Sequence, residues 1–271
     1  MFPLQDNIPS RTTPFCNYAL IGLCTFIFLK QATEKPQDVS LVERYGMIPA
    51  RVIHPDKPVT ITVAEDVVMT PLGPMVERTK REAAPPAVPA WLTLATCTFL
   101  HGGWMHLLGN MWFLLIFGDN VEDRLGHAGY LVFYVLGGTV ASLIHLVTDP
   151  GSAVPTVGAS GAIAAVMGAY FVWYPHARVR TFIPVFIFPF FIVVPATLFL
   201  GLWFVMQFLQ GTSSLMSAET GGVAWWAHIG GFGAGYLIAG ALGHSPLCRS
   251  SNEERRAYVS QPPAIRLRRW P

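Results

Sequence analysis

The sequence predicts an all-α polytopic membrane protein: six transmembrane helices with both termini on the cytoplasmic side. Three observations lead there. Of the 271 residues, 52% are hydrophobic and only 13% charged, about half the charged share of an ordinary soluble domain. Charges are missing from 15–29, 126–148, 181–218 and 220–247, and such runs suit helices that need about 20 apolar residues to cross a bilayer. Six spans also put Arg11, Arg124, Arg178, Arg180 and an arginine-rich tail on one side, while the two short loops opposite hold only Asp149 and Glu219. That asymmetry makes the arginine side cytoplasmic.

In order, residues 1–14 read as a short cytoplasmic leader containing Pro3, Pro9 and Pro14. No basic run or small-residue cleavage site follows, so no removable signal peptide is expected. A membrane domain then occupies 15–243, and its first span is 15–29. The long first loop, 30–100, is balanced in charge and carries the proline-rich stretch Ala83-Ala84-Pro85-Pro86-Ala87-Val88-Pro89. Within it 60–68 alternates weakly, as an extended segment would, and 91–100 is apolar enough for the membrane interface. The second span covers 103–118 and ends at the polar run Asp119-Asn120-Val121-Glu122-Asp123-Arg124; the third covers 129–147 and the fourth 158–174. Residues 181–211 exceed one simple helix, and Pro184, Pro189 and Pro195 predict a bent or re-entrant entry before a fifth span at 195–210. The sixth span is 223–242, and 244–271 forms a basic cytoplasmic tail. Cys16, Cys24, Cys97 and Cys248 show no paired spacing, so neither a metal centre nor a disulfide framework is expected. No cofactor and no nucleic-acid partner are expected either; membrane lipid is the surrounding medium.

Three helix starts carry polar residues at one depth. With the topology above, spans two, four and six run in the same direction. His106, Ser160 and His228 then fall within about 10 Å of their outer ends at 1.5 Å of rise per residue. Polar groups there are costly unless they face a protein interior or a wet cavity. Ser160, Ala164 and Gly168 repeat every fourth residue, as do Gly231 with Gly235 and Gly230 with Ala234. Such stripes let helix backbones approach closely, which would bring the Ser160 hydroxyl to the His228 ring; the same stripes also serve plain helix packing. His106 and Asn110, four apart, share a helix face and offer hydrogen-bond donors of the kind a developing oxyanion needs. The Ser160 backbone N–H, at a helix start, is a further donor. No carboxylate lies in a span near this level, so a Ser160–His228 dyad is expected rather than a triad: His228 would take the serine proton and later protonate the leaving amine. A rival reading takes His101, His106, His145, His228 and His244 as haem, metal or transport residues, spread over several helices without paired carboxylates.

At these residues the chain resembles the rhomboid family of intramembrane serine proteases. The matching stretches are Gly158-Ala159-Ser160-Gly161, Ala227-His228-Ile229-Gly230-Gly231, the segment His101 to Asn110 with His-x4-His-x3-Asn spacing, and Glu122-Asp123-Arg124-Leu125-Gly126. The resemblance spans roughly 100–242 and implies a rhomboid-like six-helix bundle. It also implies Ser160 as nucleophile, His228 as base, His106 and Asn110 as oxyanion donors, and Gly158 and Gly161 in support. The implied substrates are single-pass transmembrane proteins cut near the outer membrane face, in a bacterial plasma membrane. An inactive rhomboid-like protein that binds transmembrane clients is the alternative. Two departures stand out: the aromatic often found four residues after the serine is Ala164 here, and Trp91 is followed by Leu92 rather than arginine. Phe232, Trp225 and Trp226 are the sequence's candidates for orienting His228 in place of that aromatic.

Overall fold

A computed structural model describes residues 1–35, 38–70, 73–185, 188–216 and 224–243. The basic tail at 244–271, Glu219, His244 and the first residue of the expected sixth span lie outside the described residues. The chain runs β1 (Phe2–Asp6), α1 (Phe15–Ala32), α2 (Leu41–Tyr45), α3 (Pro49–Ile53), β2 (Thr60–Thr70), β3 (Gly73–Glu82), α4 (Thr93–Thr96), α5 (Trp104–Thr148), α6 (Ser160–Trp173), β4 (Arg178–Val185), β5 (Phe188–Pro195), α7 (Ala196–Met216) and α8 (Trp225–Leu242).

The long helices come from the charge-free runs. α1 and α5 are long and apolar enough to cross a membrane, at 18 and 45 residues. α5 breaks at Gly126, whose φ of 73° and ψ of 164° leave the helical region; glycine adopts that backbone without a Cβ penalty. The two arms of α5 are the second and third helices expected from sequence. α6 is buried without interruption from Gly161 to Tyr170, as a helix apolar on every side should be, and it packs against α5 and α8. The outer surface is apolar as well: Phe26 on α1, Leu131, Val132 and Leu136 on α5, and Leu202, Met206 and Leu209 on α7 are exposed. A soluble protein rarely shows apolar surface on so many elements.

The all-α expectation needs correction, because two sheets are present. β2 and β3 pair antiparallel as a hairpin within the first loop, so the extended segment at 60–68 is real and longer than its weak alternation indicated. β1, β4 and β5 form a second antiparallel sheet in the order β1-β4-β5. The re-entrant entry expected at 181–195 is thus a hairpin, and part of the expected leader is its first strand. The prolines are tolerated for a local reason. β1 pairs with β4 only as far as Phe2 opposite Phe182, so Pro184 lies beyond the β1 ladder. Its partner Pro189 is on the sheet-edge strand β5, where a missing N–H costs least.

The polar run 119–124 is helical and buried rather than a loop. Its side chains find partners in the N-terminal segment. The Ser10 hydroxyl donates to Asp119 (2.6 Å), Arg11 Nε and the Thr12 hydroxyl donate to Asp123 (2.9 and 2.8 Å), and Glu122 accepts the backbone N–H groups of Cys16 and Asn17 (3.0 and 2.7 Å). Glu122 thereby caps α1, where a carboxylate also meets the positive end of the helix dipole. Asp6 Oδ2 accepts from Asn120 Nδ2 and from the Tyr170 hydroxyl, both at 2.6 Å, which fastens β1 to α5 and α6.

The first loop is equally well tied. The buried Arg51 guanidinium donates to the carbonyls of Glu43, Gly46 and Ala84, and Arg81 makes a two-pronged ion pair with Glu43 at 2.7 Å on each prong. Met47 and Thr156 exchange backbone hydrogen bonds (3.1 and 2.7 Å), Ala50 N–H donates to Ser152 O (2.9 Å), and Gly158 N–H donates to Cys97 O (3.0 Å). The loop that delivers Ser160 is therefore bracketed by the first loop.

Candidate active site

Ser160 opens α6 directly after Gly158, whose φ is +134°. That left-handed backbone is open to glycine and strained for any other residue. His228 sits in the first turn of α8. Gly231, one turn further, lies with its backbone against the Gly161 carbonyl and close to Ala164: a methyl group on Gly231 would stand 3.3 Å from the Ala164 Cβ. A large side chain at 164 would push α8 away, so the alanine there goes with the close approach. The outcome is a hydrogen bond of 2.7 Å between Ser160 Oγ and His228 Nε2.

The other ring nitrogen, His228 Nδ1, is 2.6 Å from Oε1 of Gln207 on α7. Gln207 is not among the residues that the sequence singles out. Of the aromatics that it does offer, Trp225 lies edge-on to His228 (centroids 6.0 Å apart, 88°), while Phe232 packs on Trp203 (6.2 Å). Trp203 itself flanks the imidazole at 5.9 Å and 37°, and Trp226 makes no ring contact with His228 among the described residues. A signal for Gln207 existed: it is four residues after Trp203 in a charge-free run, so both share one helix face.

His106 lies in the first turn of α5. Its Nδ1 accepts from Gly102 N–H (3.3 Å), so the proton of a neutral ring resides on Nε2. The Cε1–Nε2 edge rests against Gly158: a Cβ built on that glycine would be 2.8 Å from both atoms and 3.5 Å from Ser160 Oγ. A protonated ring nitrogen thus shares the Gly158 contact with the serine hydroxyl. Asn110, one turn further along α5, is buried, and its Nδ2 has no acceptor among the described residues. His101 is buried against His106 (centroids 5.4 Å, 70°) with its backbone N–H and carbonyl both bonded to the Gln31 amide (3.1 and 3.0 Å). Gly161 contributes closeness alone, since a Cβ there would be 2.6 Å from the Ala141 Cβ.

The histidines considered for haem or metal divide. His101 and His106 pack together near the serine, His145 is on the second arm of α5, and His244 lies outside the described residues. The one group among the described residues with ligand atoms close enough to share an ion is Cys16, Glu122 and His127. Its carboxylate is already committed to the first turn of α1 and to the His127 ring.

A family model described as a Rhomboid domain matches residues 89–245. Similar proteins include "Rhomboid-like protein 11, chloroplastic" of Arabidopsis thaliana, 44% identical over 75 residues (28% of this chain, 26% of that protein). "Putative rhomboid protease YdcA" of Bacillus subtilis is 39% identical over 80 residues (30% and 40%). "RHOMBOID-like protein 12, mitochondrial" of Arabidopsis thaliana is 33% identical over 163 residues (51% and 46%). The matches span between a quarter and a half of these relatives' lengths, and their chloroplastic and mitochondrial names do not support the bacterial plasma membrane expected from the sequence. The family model covers more than half of the sequence, all four helices α5 to α8 and every candidate site residue. The chain is an integral membrane protein with a polytopic helical fold, and it belongs to the rhomboid family.

Proposed function

We propose that this protein is an intramembrane serine endopeptidase that cleaves single-pass transmembrane proteins near the outer membrane face. The observation that carries the reading is the 2.7 Å hydrogen bond between Ser160 Oγ and His228 Nε2, made by residues of two separate buried helices. In the reaction, His228 Nε2 takes the Ser160 proton as Oγ attacks the scissile carbonyl, and the imidazolium then protonates the leaving amine. Water, activated by the same imidazole, hydrolyses the acyl-enzyme. Negative charge on the tetrahedral intermediate is met by His106 Nε2–H, Asn110 Nδ2–H and the Ser160 backbone N–H. Support for the donor role comes from Asn110, whose buried Nδ2 has no acceptor among the described residues: a preorganised donor without a ground-state partner stabilises charge that appears only in the transition state.

The membrane arrangement belongs to the same proposal. α1, the two arms of α5, α6, α7 and α8 are the six spans, with 1–14 and 244–271 on the cytoplasmic side and the first loop, 30–100, outside. The domain then runs from 15 to 243, and the serine end of α6 faces out.

The test is cleavage of a generic single-pass substrate by wild type, Ser160→Ala and His228→Ala in one lipid preparation, with fluorophosphonate labelling alongside. Wild type should cleave and label while both variants lose cleavage. Equal cleavage by all three, or a wild type that neither cleaves nor labels, removes the hydrolytic reading and favours a client-binding protein.

A further inference from the structure

Gln207 is a polar side chain that the mechanism above leaves unused. It sits on α7 with its side chain buried, while Leu202, Val205, Met206, Phe208 and Leu209 on the same helix are exposed apolar residues. Burying an amide without partners is costly, so a glutamine turned inward from an otherwise lipid-suited helix requires a specific acceptor or donor. The partner is His228 Nδ1, at 2.6 Å.

The chemistry of that contact decides the state of the base. An amide oxygen only accepts, so Oε1 facing Nδ1 requires the imidazole proton to be on Nδ1. Nε2 is then left with its lone pair toward Ser160, the arrangement a general base needs. The opposite amide orientation would hold the proton on Nε2 and leave the serine without a base. Trp203, one turn before Gln207, and Trp225 flank the ring; they restrict its tilt but carry no acceptor for Nδ1.

We propose that Gln207 is a positioning residue for catalysis: its side-chain oxygen fixes His228 in the Nδ1–H tautomer and makes the dyad a Ser160–His228–Gln207 relay drawn from α6, α8 and α7. The role rests on the serine-hydrolase reading. It also accounts for the missing carboxylate, because a neutral acceptor supplies orientation at this depth without burying a charge. The general requirement that a base be oriented by a third group is met by an amide.

The test compares full-length wild type with Gln207→Met, which keeps bulk but removes the acceptor, and Gln207→Glu, which can only accept from Nδ1–H when ionised. kcat and KM for a generic transmembrane substrate, the rate of Ser160 labelling by a fluorophosphonate and the thermal midpoint are measured for each. Gln207→Met should lose about 10- to 100-fold in kcat and in labelling rate, with KM and the midpoint little changed. Gln207→Glu should recover most of the wild-type kcat. A Gln207→Met protein that labels and turns over like wild type overturns the proposal. So does a folded Gln207→Glu protein that falls 10-fold or more below wild type in kcat and in labelling rate, an outcome read against wild type alone that decides the matter even if Gln207→Met fails to fold. A wild type that neither labels nor cleaves fails at the hydrolase reading and takes this proposal with it; normal labelling of wild type with unaltered Gln207→Met fails the tautomer role alone.

Discussion

Replacing Gly231 with alanine tests the packing on which the proposed Ser160–His228 pair depends. A Cβ at this position would enter the Gly161 carbonyl oxygen, with the carbonyl carbon at 3.0 Å and the Ala164 Cβ at 3.3 Å. The obstacle is mostly backbone, which cannot rotate away as a side-chain tip would. Restoring an ordinary carbon–oxygen contact needs about 1 Å of extra separation between α6 and α8. Gly231 is three residues beyond His228, and Gly161 adjoins Ser160, so the displacement falls on the Ser160–His228 contact. Their 2.7 Å hydrogen bond would lengthen past the range in which such bonds hold. Misplacement by about 1 Å costs on the order of 100-fold in rate, and overpacking of a filled contact costs about 1–3 kcal/mol of stability. The internal control is Gly233→Ala: a Cβ there meets nothing within 4 Å, and alanine is the better helix former. Initial rates on a transmembrane substrate and thermal midpoints should separate the two. If Gly231→Ala cleaves at the wild-type rate with an unchanged midpoint, the close approach of α6 and α8 does not set the site.

Three further outcomes are expected. Gly158→Ala places a β-carbon 2.8 Å from the His106 ring in a backbone with φ of +134°; strain of about 1–3 kcal/mol and a shifted ring should lower kcat more than KM in steady-state assays. Asn110→Ala and His106→Ala, which each remove one proposed oxyanion donor, should each lower kcat by about 10²–10³-fold, and an Asn110→Ala rate equal to wild type would remove that residue from the mechanism. In the first loop, the hydrogen bonds from Arg81 hold the Glu43 carboxyl below the usual carboxylate range, against the opposing effect of burial. A depressed folded value means that the contribution is present above the ordinary carboxylate pKa and is lost as pH falls through the folded one. Limited proteolysis of the 60–82 hairpin should therefore accelerate on acidification in wild type, and Glu43→Gln should be susceptible already at neutral pH.

Ser160 and His228 were legible because each stands near the start of an apolar run with small residues at four-residue spacing, and both belong to a pattern specific in combination. The polar run 119–124, at which the second span is expected to end, instead continues the helix. Five polar residues in six end an apolar run in sequence, and the N-terminal segment, more than 100 residues earlier in the chain, supplies partners that keep them buried in the helix. The hairpin at 178–195 was hidden by its prolines, which the local pattern counts as breaks; tolerance comes from the β1 ladder ending at Phe2 opposite Phe182 and from β5 being an edge. Gln207 belongs to no motif: its spacing from Trp203 places the two on one helix face but does not say what the amide meets. Its partner is 21 residues away on the next helix.

These cases share a cause that bears on how the site is built. Its five polar residues come from four helices: His106 and Asn110 from α5, Ser160 from α6, Gln207 from α7 and His228 from α8. No local segment contains the geometry, so it is fixed by the distances between helices, and those are set by what lies against each glycine. Gly231 meets the Gly161 carbonyl, Gly235 meets the Ala165 carbonyl and Gly168 meets the Phe232 carbonyl, so α6 and α8 touch backbone to backbone along more than a turn on either side. An aromatic at 164 would occupy the space that this contact uses. With alanine there, the imidazole has no stacking partner from α6 among the described residues, and its neighbours are Trp203 and Gln207 of α7 and Trp225 of α8 itself. Ala164 and Gln207 are in this sense one arrangement: a small residue on α6 lets α8 come close, and the neighbouring α7 brings the acceptor.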